Sequence, residues 1–269
     1  MAQAVSYRSA QSRKRSGSRL EVDTESVSES ILSRPASEPD DVLTWGPEPD
    51  QVADLQLGSP LEPLIIVMHG GFWRPRTDRT HLRHMSRELA ESGYTVVSPE
   101  YRRVLGNPDL TMDDVRVGLQ VLPTTLHGYY DGRVILMGHS AGSHLALWAA
   151  AVCPPQGLIA TIGLAPIPDL QAADTRHIGR GAVRDFLGVA ARERPDLDPA
   201  QLPSPEHKVI LLAGQVDDEA MPELCDGYVR AHPNVDFHVL PSTGHYEFID
   251  PGSQAWATIL ETLTLVAAG

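Results

Sequence analysis

Residues 138–142 read Gly-His-Ser-Ala-Gly and are the stretch whose residue types and spacing most clearly predict chemistry. The apolar run 134–137 precedes them, and the Ala- and Leu-rich run 144–151 follows them. This pattern is typical of a strand that enters a helix through one tight turn, in which the flanking glycines leave room for a strained serine. The serine hydroxyl then stands above the sheet, where it can attack a carbonyl carbon. Ser140 is therefore the candidate nucleophile.

A serine hydroxyl is a weak nucleophile at neutral pH, so it needs a base within hydrogen-bond reach and a carboxylate that holds the base. Asp217 and Asp218 follow a predicted strand at 209–213, and His245 follows the last predicted strand at 235–240. The chain order serine, acid, histidine is the one that accompanies this kind of turn. We predict His245 as the base and Asp217 as the acid. Asp218 stays an alternative, because adjacent side chains at a strand end point in different directions.

Attack on a carbonyl creates an oxyanion, which backbone N–H donors must already face. One donor is predicted at Ala141, the residue after the nucleophile. The other is predicted in the turn at Gly70 and Gly71, where no side chain blocks the approach of the backbone to substrate. Phe72 and Trp73 follow directly, and the sequence leaves open whether they form a substrate pocket or pack in the core.

Three other histidines and one aspartate lie near these positions in the sequence. We expect His69 to brace the glycine turn, and His139 and His144 to pack beside the serine through backbone hydrogen bonds. Asp169 follows a predicted strand, but nothing in the sequence assigns it a chemical role.

The elements that must position these residues alternate along the chain. Strands are predicted at 64–68, 94–98, 134–137, 158–164, 209–213 and 235–240, and helices at 77–92, 111–122, 144–151, 219–231 and 251–267. We expect Thr111 to cap the second of these helices. Such alternation predicts an α/β fold with a mostly parallel central sheet, helices on both faces and right-handed crossovers. Ligands of such sheets bind outside the carboxyl ends of the strands, where the serine, acid and histidine are predicted.

Composition divides the chain into a tail and one domain. Residues 1–41 are rich in Ser, Arg, Glu, Asp and Pro and poor in large apolar residues, so we predict a disordered N-terminal tail. Residues 42–269 are predicted to form the folded domain. Within it, residues 167–206 are rich in Pro, Arg and Asp, with one short helical segment at 181–187, and we expect a small cap insertion there.

Charge and cysteine content exclude several classes of protein. The formal net charge is -13 at pH 7, which argues against nucleic acid or an anionic membrane surface as partner. No run of 18 apolar residues is present, so we expect no membrane span. Cys153 and Cys225 lack metal-ligand spacing, and we expect neither a disulfide framework nor a metal or other cofactor. With no apolar stretch after the basic start of the tail, a cytoplasmic location is expected, and the oligomeric state stays open.

Three stretches together resemble a known superfamily. Residues 69–73 read His-Gly-Gly-Phe-Trp, residues 138–142 carry the serine motif, and residues 244–251 read Gly-His-Tyr-Glu-Phe-Ile-Asp-Pro. They resemble the α/β-hydrolase superfamily, and more narrowly its branch with an HGGxW motif, which includes kynurenine formamidases and carboxylesterases. The resemblance extends over residues 60–265 and implies the α/β-hydrolase fold.

The same resemblance implies an activity and a set of functional residues. It implies a serine hydrolase without a metal, which cleaves a carboxylic ester or aryl formamide through an acyl-enzyme intermediate. The implied positions are Ser140, Asp217 and His245 for the catalytic triad, and Gly70, Gly71 and Ala141 for the oxyanion hole.

The sequence leaves alternatives for the function. An arylformamidase and a short-chain carboxylesterase are equally compatible with the motifs, because the size of the pocket decides between them. A ligand-binding protein on the same fold, with slow or no turnover, is the alternative from another class. An interaction protein that works through the charged residues 1–41 is a further one. In the enzyme interpretations the partner is a small ester or amide substrate.

Overall fold

A single sheet of eight strands runs through the computed structural model, which describes residues 30–269. The strands are β1 (Asp41–Thr44), β2 (Val52–Gln56), β3 (Leu64–Met68), β4 (Thr95–Pro99), β5 (Val134–His139), β6 (Leu158–Leu164), β7 (Lys208–Gly214) and β8 (Val235–Leu240). Their order across the sheet is β1-β2-β4-β3-β5-β6-β7-β8. The pairs of β1 with β2 and of β2 with β4 are antiparallel, and the other pairs are parallel. The predicted, mostly parallel sheet is confirmed.

Helices lie in the connections between the parallel strands and at both ends of the described chain. In the described part of the chain they are α1 (Ser30–Ser33), α2 (Arg83–Glu91), α3 (Pro108–Thr125), α4 (Ala141–Val152), α5 (Leu170–Thr175), α6 (Ile178–Leu187), α7 (Asp226–Ala231) and α8 (Ala255–Ala268). Because crossovers between parallel strands are right-handed, α2 lies on the opposite face of the sheet from α3 and α4, whose crossovers run in the other direction. Within residues 30–269, no helix is both long and apolar enough to cross a bilayer.

Strand pairing decides which loops meet at the edge of the sheet. The central strands β3 and β5 are buried along their whole length, as apolar runs in a two-sided sheet should be. Met68 pairs with Gly138 at their carboxyl ends, so the glycine turn lies beside the serine motif. Gly214 pairs with Leu240 at the ends of β7 and β8, so the loops of the candidate acid and base leave the sheet side by side.

Several element boundaries differ from the predicted ones. β1 and β2 are absent from the prediction, because both are short and β1 is largely exposed at the sheet edge. The helix predicted at 77–92 begins as a 3₁₀ turn, Arg79–Leu82, before α2. Thr111 does not cap α3, which begins at Pro108; its hydroxyl instead donates to the carbonyl of Arg102 at 2.6 Å. Proline suits the first helical position because the N–H that it lacks would have no partner there.

The start of the described chain is packed against the domain. Residues 30–41, which the composition assigns to the tail, contain α1 and the first residue of β1. Ile31 is 2% exposed and belongs to the main hydrophobic core. The folded part therefore includes residues 30–41, because one buried isoleucine and several ion pairs fix this segment. The predicted disorder of residues 1–29 lies outside the described residues.

The segment predicted as a cap, residues 167–206, connects β6 to β7 and contains α5 and α6. The predicted short helix at 181–187 is the second half of α6. Phe186 stacks on Trp73, with 5.1 Å between ring centroids. The segment therefore packs against the turn that follows β3.

Gly142 offers a test of how closely α4 approaches β3. A Cβ atom at this position would lie 2.1 Å from the carbonyl oxygen of Met68, which is backbone and cannot move aside cheaply. We expect Gly142→Ala to lower the free energy of unfolding by more than about 2 kcal/mol, measured by chemical denaturation.

Gly118 in α3 is the matched control. A Cβ there would have its nearest neighbours in the ring of Trp45, at an ordinary 3.7 Å. Gly118→Ala should therefore raise the free energy of unfolding by about 0.5–1 kcal/mol, as expected for alanine in a helix. Equal effects of the two substitutions would contradict the close approach of α4 to β3.

Candidate active site

The turn between β5 and α4 holds Ser140 in a strained backbone conformation. Its φ of 55° and ψ of -123° lie outside the regions that non-glycine residues usually adopt. The N–H of Ser140 donates to the carbonyl of Leu164 at 2.9 Å, and the N–H of Ser143 donates to the carbonyl of Ser140 at 2.8 Å. Strain of this kind costs on the order of 1–3 kcal/mol and persists only where neighbouring contacts fix the conformation. Here β6 and the first turn of α4 supply those contacts.

His245 and Asp217 form a buried hydrogen-bonded pair. The Nδ1–H of His245 donates to Oδ2 of Asp217 at 2.9 Å. The other carboxylate oxygen of Asp217 accepts the backbone N–H groups of Glu219 and Ala220, at 2.9 and 2.8 Å. The carboxylate is therefore fixed by three hydrogen bonds, and it in turn fixes the orientation of the imidazole.

Asp218 is not part of this buried pair. It is exposed, whereas Asp217 is only 4% exposed. The loop that carries both residues is tied to the histidine loop by a hydrogen bond from the N–H of Val216 to the carbonyl of Thr243, at 3.1 Å. Of the two aspartates that the sequence offered, the structure brings Asp217 to His245.

His139 holds the loop of His245 in place. Its Nε2–H donates to the backbone carbonyl of His245 at 3.0 Å, and the two ring centroids lie 4.8 Å apart. Nδ1 of His139 lies 3.4 Å from Nε2 of His81. Burial lowers the pKa of His139 well below its usual value, and burial together with the neighbouring histidines lowers the pKa of His81 to about 3. Both rings are therefore neutral at physiological pH, which lets Nδ1 of His139 accept a hydrogen bond.

A cavity of about 190 Å³ joins the candidate residues. Ser140, His245 and Gly71 all line it, which places the candidate nucleophile, base and glycine turn around one space. The other residues that line it are Leu32, Phe72, Arg76, Thr77, His81, His139, Glu219 and Tyr246.

Two carboxylates face the imidazole of His245 from opposite sides. Asp217 binds Nδ1, and Oε2 of Glu219 lies 3.5 Å from Nε2. Burial acts to lower the pKa of His245, but the charge and hydrogen bond of Asp217, followed by the charges of Glu219 and Asp218, more than offset it. The pKa of His245 is therefore raised above its usual value, and His245 is a stronger base than an isolated imidazole.

The turn after β3 fits the predicted role of an oxyanion site. A Cβ atom on Gly70 would lie 2.9 Å from both the carbonyl oxygen of His139 and Cβ of Ser140, so this turn approaches Ser140 too closely for any side chain. Among the described turns and loops, the N–H of Gly71 donates to no backbone carbonyl. Ala141 is the first residue of α4, and an N–H at that position has no partner within the helix. Of the three residues predicted for this role, Gly71 lines the cavity, whereas Gly70 and Ala141 are not among its lining residues.

His69 braces the turn, since its Nδ1 lies 2.8 Å from the carbonyl oxygen of Gly70. Its ring stacks on Tyr101 with 4.4 Å between centroids, and its Nε2 lies 3.0 Å from Oε1 of Glu100. Burial acts to raise the pKa of Glu100, but the hydrogen bond and charge of His69 and the charge of Arg103 bring it down to about 2. An ionised glutamate thus anchors His69, and the position of His69 agrees with a bracing role.

Phe72 and Trp73 have different surroundings. Phe72 lines the cavity, as a pocket residue should. Trp73 is 1% exposed and does not line it; its indole N–H donates to Nδ1 of His144 at 3.2 Å, and its ring stacks on Phe186. Of the two roles that the sequence leaves open for Trp73, the structure shows core packing and not a place in the pocket, because the tight turn after β3 directs its ring toward α4 and α6.

Sequence reasoning missed several residues that surround the cavity. Glu219 and Tyr246 lie within two residues of Asp217 and His245, so their closeness in sequence could have revealed them. Leu32 and His81 come from segments far along the chain from the serine motif, and only the fold brings them to the cavity.

The chain is similar to known hydrolases in sequence and structure. The family model BD-FAE matches residues 55–163, which include the glycine turn and the serine motif. A kynurenine formamidase from Salmo salar is 25% identical over 202 residues, which are 70% of this chain and 67% of that protein.

Solved structures show the fold. Esterase B from Lactobacillus rhamnosis superposes with a TM-score of 0.73 at 19% identity, covering 91% of this chain and 92% of that one. Esterase 2 of Thermogutta terrifontis, phosphonylated by sarin, superposes with a TM-score of 0.65 at 16% identity, covering 86% of this chain and 94% of that one. The protein has the α/β-hydrolase fold, as the sequence motifs predict.

The two aspartates can be distinguished through the pKa of His245, measured by an NMR titration of its imidazole protons. Asp217→Asn removes the adjacent charge, so we expect it to lower the pKa of His245 by about 1–3. Asp218→Asn is the matched control and should change this pKa much less, because an exposed charge is screened by solvent. A larger effect of Asp218→Asn would contradict the arrangement.

Proposed function

We propose that the protein is a serine hydrolase that cleaves a carboxylic ester or an aryl formamide with a small acyl group. The observation that carries the proposal is that a strained Ser140 and the buried pair of His245 and Asp217 meet at one cavity. A binding protein has no need of this combination, because the strain and the fixed imidazole serve to activate a hydroxyl.

In the proposed reaction, Oγ of Ser140 attacks the carbonyl carbon while Nε2 of His245 takes the hydroxyl proton. Asp217 holds Nδ1–H and stabilises the imidazolium that forms. The N–H of Ala141 and the turn at Gly70 and Gly71 donate to the oxyanion. When the tetrahedral intermediate collapses, the imidazolium gives its proton to the departing alkoxide or anilide. This leaves the acyl group on Ser140.

The second half of the reaction releases the acyl group. His245, neutral again, takes a proton from water as the water oxygen attacks the acyl carbon. A second tetrahedral intermediate forms at the same oxyanion site. Its collapse returns the proton to Ser140 Oγ and frees the carboxylic acid. The whole reaction consumes one water molecule for each ester or amide bond that is cleaved.

The comparisons and the cavity support this substrate class. The likeness to esterases supports an ester, and the likeness to a kynurenine formamidase supports an aryl formamide. A cavity of about 190 Å³ suits a formyl or short acyl group better than a long chain. An ester and a formamide of this kind share a small acyl group and differ in the leaving group.

Replacement of the nucleophile tests the proposal most simply. Ser140→Ala should lower kcat by about four to six orders of magnitude, because the remaining site can only bind substrate and polarise its carbonyl. The assay is hydrolysis of phenyl acetate and of formanilide. Ser92→Ala, at an exposed serine beyond α2, is the control and should leave kcat unchanged. Retention of more than about 1% of the turnover by Ser140→Ala would refute the assignment.

The same two substrates separate the two specific activities. A much higher kcat/KM for formanilide than for phenyl acetate would identify an arylformamidase. The reverse ratio would identify a carboxylesterase.

The charge of Glu219 should appear in the dependence of rate on pH. Hydrolysis requires neutral His245, so kcat/KM falls as the pH drops below the pKa of this imidazole. The negative charge of Glu219 raises that pKa, so Glu219→Gln should lower it. The acid limb of the plot of kcat/KM against pH should then move to lower pH. Glu223→Gln, at an exposed glutamate, is the control and should leave the limb in place. An unchanged limb in Glu219→Gln would show that this carboxylate does not influence the base.

A further inference from the structure

Residues 31–40, called the strap below, run along helix α2 to strand β1. Glu38 pairs with Arg83 at 2.7 Å, and Asp40 pairs with Arg87 at 2.9 Å. The acidic side chains of the strap thus match basic side chains of α2. Several weak attachments of this kind fix a segment only when they act together.

A second attachment joins the strap to the loop of the candidate base. The guanidinium of Arg34 donates to both carboxylate oxygens of Asp250, at 3.1 and 2.6 Å. Asp250 directly follows the 3₁₀ turn Tyr246–Ile249, which begins next to His245. Such bidentate pairs fix geometry as well as charge. The strap therefore bridges α2 and the histidine loop.

Just before these attachments along the chain, the strap places one leucine at the cavity. Ile31 is buried in the core, while its neighbour Leu32 lines the cavity together with Ser140 and His245. Leu32 is 47% exposed and Ser140 only 2% exposed. The serine therefore lies at the floor of the cavity and the leucine at its mouth.

We propose that Leu32 is a specificity-determining residue that contacts the apolar leaving group of the substrate, and that the pair of Arg34 and Asp250 holds it there. This inference rests on the proposed function. The carbonyl carbon must reach Ser140 at the floor, and the cavity is small. The leaving group therefore extends toward the mouth. Contact between an apolar leaving group and the half-exposed Leu32 there would remove apolar surface from water, which favours binding.

The first test compares two acetate esters that differ only in the leaving group. Leu32→Ala should raise KM for 2-naphthyl acetate by about fivefold, because part of the apolar contact is lost. Its KM for methyl acetate and its kcat for both esters should stay within about twofold of the wild type. Leu57→Ala removes a leucine of similar exposure, 43%, that does not line the cavity, and should change neither KM.

The second test addresses the ion pair of Arg34 and Asp250. Arg34→Asp and Asp250→Arg should each raise KM for 2-naphthyl acetate as Leu32→Ala does, because like charges then separate the strap from the histidine loop. The double variant restores an opposite-charge pair and should return KM to within about twofold of the wild type. Thermal unfolding of each variant checks that the domain stays folded. Failure of the double variant to restore KM, with both single variants folded and impaired, would overturn the role of the pair.

The outcomes distinguish this inference from the proposed function. If the wild type hydrolyses both esters and Leu32→Ala leaves both KM values unchanged, the role of Leu32 is wrong and the hydrolase proposal stands. If KM of Leu32→Ala changes with acyl length at a constant leaving group, Leu32 contacts the acyl group instead and the assignment is wrong. If the wild type hydrolyses no ester or formamide, the proposed function itself fails, and the inference fails with it.

Discussion

The hydrogen bond from Nδ1 of His245 to Asp217 joins two loops that strand pairing brings to one edge of the sheet. One oxygen of the carboxylate orients the imidazole, and the other accepts two backbone N–H groups of its own loop. The imidazole therefore presents Nε2 to the cavity, where Glu219 also lies. In the proposed mechanism, this pair supplies the base that activates the strained Ser140.

The sheet makes the strain at the site possible. Gly71, Phe72, Trp73 and Ser140 all have positive φ angles, and they lie in the turns that follow the paired central strands β3 and β5. Because these strands are fully buried and fixed on both sides, they can hold two strained turns against each other. His69 and His139 also fix these turns, since His69 binds Glu100 and His139 binds the backbone carbonyl of His245. In the proposed mechanism, the N–H groups that donate to the oxyanion depend on this rigidity.

Much of the fold could be predicted because buried parallel strands are continuous apolar runs that alternate regularly with amphipathic helices along the chain. The strand Leu158–Leu164 was predicted with its observed bounds, whereas β1 was missed because a short, exposed edge strand lacks that signal. At the site, Ser140 and His245 followed from motif and chain order. The sequence favours Asp217 but leaves Asp218 open, because the choice depends on side-chain direction. The burial of Trp73 and the presence of Leu32 at the cavity depend on contacts between distant segments, which no local pattern contains.

Covalent labelling shows whether Ser140 is an activated nucleophile. The protein is exposed to a fluorophosphonate, its intact mass is measured, and the labelled peptide is mapped by mass spectrometry. We expect a single adduct on Ser140 that forms at least about a thousandfold more slowly in His245→Ala. A folded wild-type protein that gains no adduct, or gains it at another residue, would show that Ser140 is not activated.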